Sequence, residues 1–152
     1  MRRVLVLASA LCAALVAGAA AAQTDDPRFL CASRHSAEAI RACTTVIRDS
    51  LQPPEDRVVA LRNRGYAYQL QGDLDRAIAD YDAAIRLAFS EDKHPKGRAA
   101  TMLAKTYVDR GVAWREKGEV EKALADFDAA IEADPTLSSA QENRDALFFR
   151  KR

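Results

Sequence analysis

The chain has 152 residues, of which 30% are charged, and 23 Lys and Arg against 22 Asp and Glu give a formal net charge of +1. Such a length fits one domain and leaves little room for a second. The near-neutral, interspersed charge gives no electrostatic case for binding to nucleic acid, which needs a basic patch. The sequence also lacks a nucleophile elbow, a phosphate-binding loop and a His-Glu zinc motif. We therefore expect no enzyme, no metal and no cofactor.

The first residues have the composition of a secretory signal peptide. Met1-Arg2-Arg3 is a basic start, an apolar run follows from Val4 to Val16, and Ala20-Ala21-Ala22 offers small residues for cleavage before Gln23. The apolar run is too short to indicate a membrane span. We expect residues 1–22 to be removed, which gives an exported, periplasmic protein with no integral membrane span in the mature chain. Retention of the peptide as an anchor stays open.

Removal of that peptide leaves two cysteines, Cys31 and Cys43, in the N-terminal segment of residues 23–54. Because an exported protein meets an oxidising compartment, we predict that they form a disulfide, which would stabilise the fold by about 3 kcal/mol. Together with His35 they could also offer three metal ligands, but their spacing matches no zinc motif and a fourth ligand is missing. The Cys-x-x-Cys-His sequence of haem attachment is absent.

An internal repeat dominates the rest of the chain. Residues 63–85 return as residues 109–131 with the same order of small and aromatic side chains at helical spacing. The matched positions are Gly65, Tyr68, Gly72, Ala77, Tyr81 and Ala84 in the first copy, and Gly111, Trp114, Gly118, Ala123, Phe127 and Ala130 in the second. The small residues let two helices cross closely while the rings fill the space beside them. Each copy is therefore expected to form a helical hairpin that stacks on its neighbour.

This pattern resembles the tetratricopeptide repeat, a unit of two helices and about 34 residues. The resemblance covers roughly residues 58–150, and a weaker half repeat precedes it within residues 23–54. It implies an all-α fold, an antiparallel helix-hairpin solenoid over residues 55–152 with a C-terminal capping helix. We expect that closing helix at residues 138–150, followed by the basic tail Arg150-Lys151-Arg152.

The two copies are separated by 12 residues more than one repeat, since Gly111 follows Gly65 by 46 positions and the unit has about 34. We place this insertion near residues 89–100. Pro95 disfavours helix in the residue before it and suits the start of the helix after it. The extra residues are therefore predicted to form a short loop and added helical turns before Ala104.

The resemblance also implies a function: in such solenoids the first helices of successive repeats line a concave groove that holds a peptide or partner helix, and no chemistry occurs there. We regard Arg62 and Tyr66 as the best anchors, because Tyr and Arg dominate interface energetics. Alternatively, Arg62 pairs with an acid on the adjacent helix and Tyr66 packs in the seam between repeats. The groove positions carried over are Val59, Arg62, Asn63, Tyr66 and Gln69 from the first copy and Lys105, Val108, Asp109, Val112 and Arg115 from the second.

Arg64, Arg110 and Arg144 stand where the family usually has Leu. We expect each to lay its stem along the core and send its charge outward. Paired acids such as Asp80 and Asp82 are interpreted as helix caps and solvated faces.

The sequence as a whole favours a protein-binding adaptor of the cell envelope. Two alternatives stay open: a small exported enzyme or metal-binding protein with a site near the N-terminal segment, and a repeat protein that self-associates into a homo-oligomer.

Overall fold

The computed structural model describes residues 26–33 and 37–149, and within these ranges all regular secondary structure is helical. The helices in chain order are α1 (Pro27–Ala32), α2 (Ala37–Arg48), α3 (Pro54–Leu70), α4 (Leu74–Glu91), α5 (Arg98–Glu116), α6 (Val120–Ala133) and α7 (Ser138–Phe149). The predicted all-α solenoid is confirmed. The expected signal peptide at residues 1–22, His35 and the basic tail at residues 150–152 lie outside the described residues.

The helices form successive antiparallel pairs. Each full hairpin turns at a glycine with a positive φ, +77° at Gly72 between α3 and α4 and +85° at Gly118 between α5 and α6. This left-handed conformation carries no steric cost for glycine, so it ends the first helix of each hairpin. Asp73 then caps α4 by accepting the backbone N–H of Arg76 at 3.0 Å. Helix α7 packs on α6 and α5 and closes the solenoid.

Within each hairpin a glycine faces an aromatic ring at very short range. A Cβ atom built on Gly65 would lie 2.8 Å from Cε1 of Tyr81, and one on Gly111 would lie 2.6 Å from Cε1 of Phe127. Both rings are fully buried. No residue with a side chain fits at either glycine unless the ring moves, because real Cβ contacts are longer than this. The close helix crossing predicted from the repeat pattern is therefore present in both copies.

The N-terminal half repeat is held together covalently. A disulfide joins Cys31 on α1 to Cys43 on α2, as the sequence predicts. Both cysteines are buried, and they cluster with Val46 of α2 and Ala60 of α3. With six residues, α1 is far too short to be stable as an isolated helix, so its place depends on this bond and on packing against its neighbours.

The lengthened joint consists of a short loop between two long helices. Helix α4 continues to Glu91, residues 92–97 follow, and α5 begins at Arg98, so added helical turns precede Ala104. Leu87 and Ala88 near the end of α4 and Met102 at the start of α5 pack against the same buried cluster. The last three residues of α4 are exposed.

For Arg64 and Arg110, the prediction that the repeat arginines send their charges outward is wrong. Both Nε and Nη2 of Arg64 donate to the carboxylate of Asp80 at 2.7 Å, and its Nη1 donates to the hydroxyl of Thr44 at 2.9 Å. In the next repeat, Arg110 binds Asp126 in the same two-pronged way, at 2.9 and 2.6 Å. The second helix of each hairpin therefore supplies an acid that pairs with the arginine. The prediction was based on the leucine that the family usually has at this position, and it did not include that acid.

Each of these arginines also reaches the second helix of the preceding unit. Arg64 does so through Thr44 on α2, and Arg110 through Asp82 on α4. Arg144 on α7 approaches Asp128 of α6 at 3.6 Å, in a more exposed setting. We call the Arg64 and Arg110 arrangements the arginine clamps, because each connects two second helices through one first helix.

The carboxylates of Asp80 and Asp126 are buried, so for Asp80 the interpretation as a solvated side chain is wrong. Asp80 and Asp126 are only 7% and 5% exposed. Burial raises the pKa of the Asp126 carboxyl, and the hydrogen bonds and charge of Arg110 oppose that rise. The carboxylate of Asp126 therefore depends on Arg110 to offset the cost of losing water.

We predict that Arg110→Met destabilises the protein by about 3 to 5 kcal/mol, because it leaves the buried carboxylate of Asp126 without its cation. The double variant Arg110→Met with Asp126→Leu removes both charges, so it should recover most of that loss. Urea unfolding followed by circular dichroism measures both values. Equal stability of the parent and Arg110→Met, or a double variant less stable than Arg110→Met alone, would show that the clamp does not stabilise the core.

Candidate partner-binding groove

The first helices α3 and α5 carry all ten residues that the sequence assigns to a groove. Two of them are misassigned, since Asn63 and Val108 are only 6% and 9% exposed. Asn63 lines a small cavity beneath α1, and Val108 belongs to the core cluster that contains Phe127. The remaining eight residues keep at least part of their surface accessible.

Polar side chains connect the first helices across this face. Nε of Arg62 on α3 donates to Oδ2 of Asp109 on α5 at 2.6 Å, and Nε2 of Gln69 donates to Oε1 of Glu116 at 3.0 Å. One step along the solenoid, Nη1 of Arg115 on α5 donates to Oδ1 of Asn143 on α7 at 2.8 Å. We call these three contacts the groove bridges. They join α3 to α5 and α5 to α7, so the helices present one connected surface.

The ion pair between Arg62 and Asp109 determines the structural role of Arg62. Its guanidinium is engaged by the neighbouring helix, as the alternative interpretation of the sequence proposed, and both side chains are less than one-fifth exposed. Arg62 therefore shapes the floor of the groove and is not an available cationic anchor. Glu116 and Asn143 were missed by sequence reasoning. The signal was present for Asn143, which stands 34 positions after Asp109 and thus in its register.

A core residue also reaches this face. The ring of Tyr81 passes over Gly65 from α4, and its hydroxyl donates to Oε1 of Gln69 at 3.0 Å. Burial raises the pKa of the Tyr81 phenol, which keeps the hydroxyl protonated and able to donate. The groove bridge between Gln69 and Glu116 is thereby linked to the crossing of α3 and α4. This hydrogen bond was indicated by the sequence, because the first repeat has a tyrosine, with its hydroxyl, where the second repeat has Phe127.

An apolar row lies between the bridges. Tyr66 is on the same stripe of α3 as Arg62 and Gln69 and falls between them. Val112 occupies the matching position on α5, and Ala146 follows on α7 after a further 34 residues. Tyr66 and Val112 are partly buried and Ala146 is exposed. We call Tyr66, Val112 and Ala146 the apolar row, which crosses three first helices.

Helix α1 lies at the N-terminal end of this surface. It packs on α3, where Nη1 of Arg28 approaches Oδ2 of Asp56 at 3.9 Å. A cavity of about 50 Å³ remains between them, and Val59 is among its lining residues. Val59 is thus at the margin of the groove, beside α1.

The remaining cation of the predicted set, Lys105, is exposed about two turns into α5. Its charge contributes to the lowered pKa of Asp134, after the larger effects of hydrogen bonds from Thr136 and Thr101. Lys105 therefore lies within the electrostatic reach of an acid at the end of α6.

The structure also bears on the metal alternative. Cys31 and Cys43 are joined to each other, which removes their thiolates as ligands. In residues 26–33 and 37–149 no three His, Cys, Asp or Glu side chains come together in a manner that could hold a metal ion. In the same part of the chain, no helix combines the length and apolar composition needed to cross a bilayer.

Comparison with known families agrees with this architecture. Residues 58–89 and residues 103–137 each match a family model of the tetratricopeptide repeat. The chain contains two tetratricopeptide repeats. No curated protein matches the chain. Tetratricopeptide repeats mediate protein–protein interactions and are generally not enzymes, so the two repeats suggest a protein-interaction module.

Proposed function

We propose that the protein is an adaptor or scaffold of the cell envelope that binds a peptide or partner helix across α3, α5 and α7. The groove bridges are the observation that supports this most. They hold polar side chains of three successive first helices in fixed places before any partner arrives. A surface ordered in advance loses less side-chain entropy on binding, which leaves more of the contact energy for affinity.

The apolar row supplies the contact surface that such binding needs. Tyr66 offers a large, rigid ring with a polar end, the kind of side chain that most often anchors an interface. The paired charges beside it, Arg62 with Asp109, satisfy each other and form a polar border. An apolar centre with a polar border is the usual anatomy of a protein-binding surface.

Self-association through stacking of solenoid ends is less well supported. In such a stack, a second helix from another copy would pack on the outer face of α7. The contact would fall at the position that Gly65 and Gly111 occupy in the repeats. That register holds Asp145 in α7, whose side chain is 54% exposed. An aspartate leaves no notch for a crossing ring, and its exposed neighbours Gln141 and Glu142 favour contact with water. This face has the character of a cap.

We also propose that the protein is exported, which places its partner in the cell envelope. The composition of residues 1–22 supports this, and so does the disulfide between Cys31 and Cys43. Disulfides persist in oxidising compartments and are rare where thiol reductants are abundant.

We predict that the paired substitution Tyr66→Ala with Val112→Ser weakens binding to the partner by at least about tenfold, since it removes two of the three apolar contacts. A matched control is Ala79→Ser with Ala125→Ser, at exposed positions on the second helices α4 and α6. The tagged proteins recover partners from the exporting cell, and titration calorimetry with the purified partner gives the dissociation constants. Thermal melting verifies that all variants are folded. Equal recovery of every partner by groove variant and parent would contradict the groove proposal.

For export, we predict that protein isolated from its own cell begins at Gln23 and contains no free thiol. Mass spectrometry after alkylation without reductant should find Cys31 and Cys43 unmodified, because both sulfurs are in the disulfide. Detection of chain starting at Met1 in the cytoplasm, with both thiols alkylated, would refute the proposed location.

A further inference from the structure

We infer that α1 is a redox-controlled strap, which covers the N-terminal end of α3 while Cys31 and Cys43 are joined and leaves α3 when a dithiol reduces them. The movement of α1 is independent of the proposed function, whereas its consequence for partner binding rests on that function. Three features carry the inference. They are a bridge that α1 lacks, the few side chains that hold α1, and the place of the disulfide among the core clusters.

Two of the groove bridges follow one register, and α1 does not take part in it. Asp109 on α5 accepts from Arg62 on α3, and Asn143 on α7 accepts from Arg115 on α5. The equivalent residue of α3 is Asn63, 46 positions before Asp109. Within the part of the chain that the structure describes, no hydrogen bond joins Asn63 to α1, and a cavity of about 50 Å³ lies between them. Helix α1 is therefore seated on α3 without the bridge that joins the later first helices.

Few side chains hold α1 in place. Of its six residues only Cys31 is buried, and Leu30 packs partly against the same cluster. Phe29, the largest apolar side chain of the helix, is 62% exposed and adds little packing. The ion pair of Arg28 with Asp56 on α3 adds little stability, because its atoms are 3.9 Å apart and both side chains are well exposed. A helix of six residues is not stable alone, so the disulfide is its main restraint.

The cores of the two repeats are built without α1. Apolar side chains of α1 belong to the described core cluster that contains the disulfide, Val46 and Ala60. The clusters around Phe127, Tyr81 and Leu61 take their members from residues 47–147. A terminal element with few buried contacts opens at a much lower free energy than the whole domain. Departure of α1 therefore leaves the repeats folded.

Fraying of α1 also exposes the bond that restrains it. In the closed form Cys31 is 2% exposed and Cys43 is fully buried, and Cys31 leaves its place when α1 opens. A thiolate of the dithiol then attacks one sulfur, forms a mixed disulfide and releases the other cysteine as a thiolate. The second thiol of the reductant displaces the remaining protein sulfur. The reductant is thereby oxidised to its own disulfide, and the protein gains two electrons and two protons.

Release of α1 changes the N-terminal end of the groove. Val59 and Asn63 line the cavity beneath α1, and Ala60 is buried in the cluster that contains Cys31. Val59 and Asn63 are also among the positions that the sequence assigns to the groove. When α1 departs, both side chains join the open face of α3. The closed strap therefore shortens the partner-binding surface, and reduction lengthens it.

Hydrogen exchange followed by mass spectrometry tests the movement of α1. The mature chain is compared in its oxidised form and after treatment with dithiothreitol, in buffer without denaturant. The matched control is Cys31→Ala with Cys43→Ala, with and without the same reductant, which separates loss of the disulfide from other effects of the dithiol. We expect reduction to accelerate exchange of the α1 amides at least about tenfold in the parent, with no change in α5 to α7. In the control, α1 should exchange fast under both conditions.

Reoxidation of the reduced parent should restore slow exchange in α1, which tests the strap without any substitution. Protection of α1 that survives reduction would overturn the inference. So would reduction that occurs only together with exchange throughout α5 to α7, because the disulfide would then become accessible through global unfolding alone.

Titration calorimetry with the partner recovered by the tagged protein tests the consequence for binding. Dithiothreitol should lower the dissociation constant of the parent at least about threefold and leave that of the cysteine-free control unchanged. Release of α1 with unchanged or weaker affinity would overturn the regulatory role, while the movement of α1 stands. Neither result decides the groove proposal, which depends on partner recovery by Tyr66→Ala with Val112→Ser.

Discussion

The contact between a glycine and an aromatic ring at each hairpin crossing is the constraint on which the structure depends. Gly65 under Tyr81 and Gly111 under Phe127 allow two helices to approach more closely than any side chain would permit. That approach buries the rings completely and sets how each first helix lies against its second. In the first repeat it also brings the Tyr81 hydroxyl to Gln69, so the same contact that builds the core positions a groove bridge.

Ion pairs add to this packing, and they connect different helices on the two sides of the first helices. On the inner side, Arg64 and Arg110 each bind a buried carboxylate of their own hairpin, Asp80 or Asp126, and reach the preceding second helix through Thr44 or Asp82. On the open side, the pair of Arg62 and Asp109 connects first helices, and its two charges match each other. The repeats are thus joined on both sides. A surface held in this way has little freedom to lose when a partner binds.

The sequence predicts what depends on local spacing and misses what depends on contacts between repeats. The period, the glycine turns and the disulfide follow from patterns within a short window, and the structure contains all three. The burial of Asn63 and the partner of Arg110 depend on which helix arrives from the next unit. The packing of Met102 beside Leu87 and Ala88 on one buried cluster depends likewise on the approach of α5. The register of Asp109 and Asn143 shows that aligning the first helices on one another would have found part of the bridged face.

The stability of Gly111→Ala tests the central claim most directly. Alanine is favoured over glycine inside a helix by about 1 kcal/mol, so propensity alone predicts a more stable protein. The crossing predicts instead a loss of about 1 to 3 kcal/mol, because the new methyl group meets the ring of Phe127. In a Phe127→Leu background that clash is relieved, and the same substitution should cost less or stabilise. A Gly111→Ala protein as stable as the parent in urea unfolding would contradict the account.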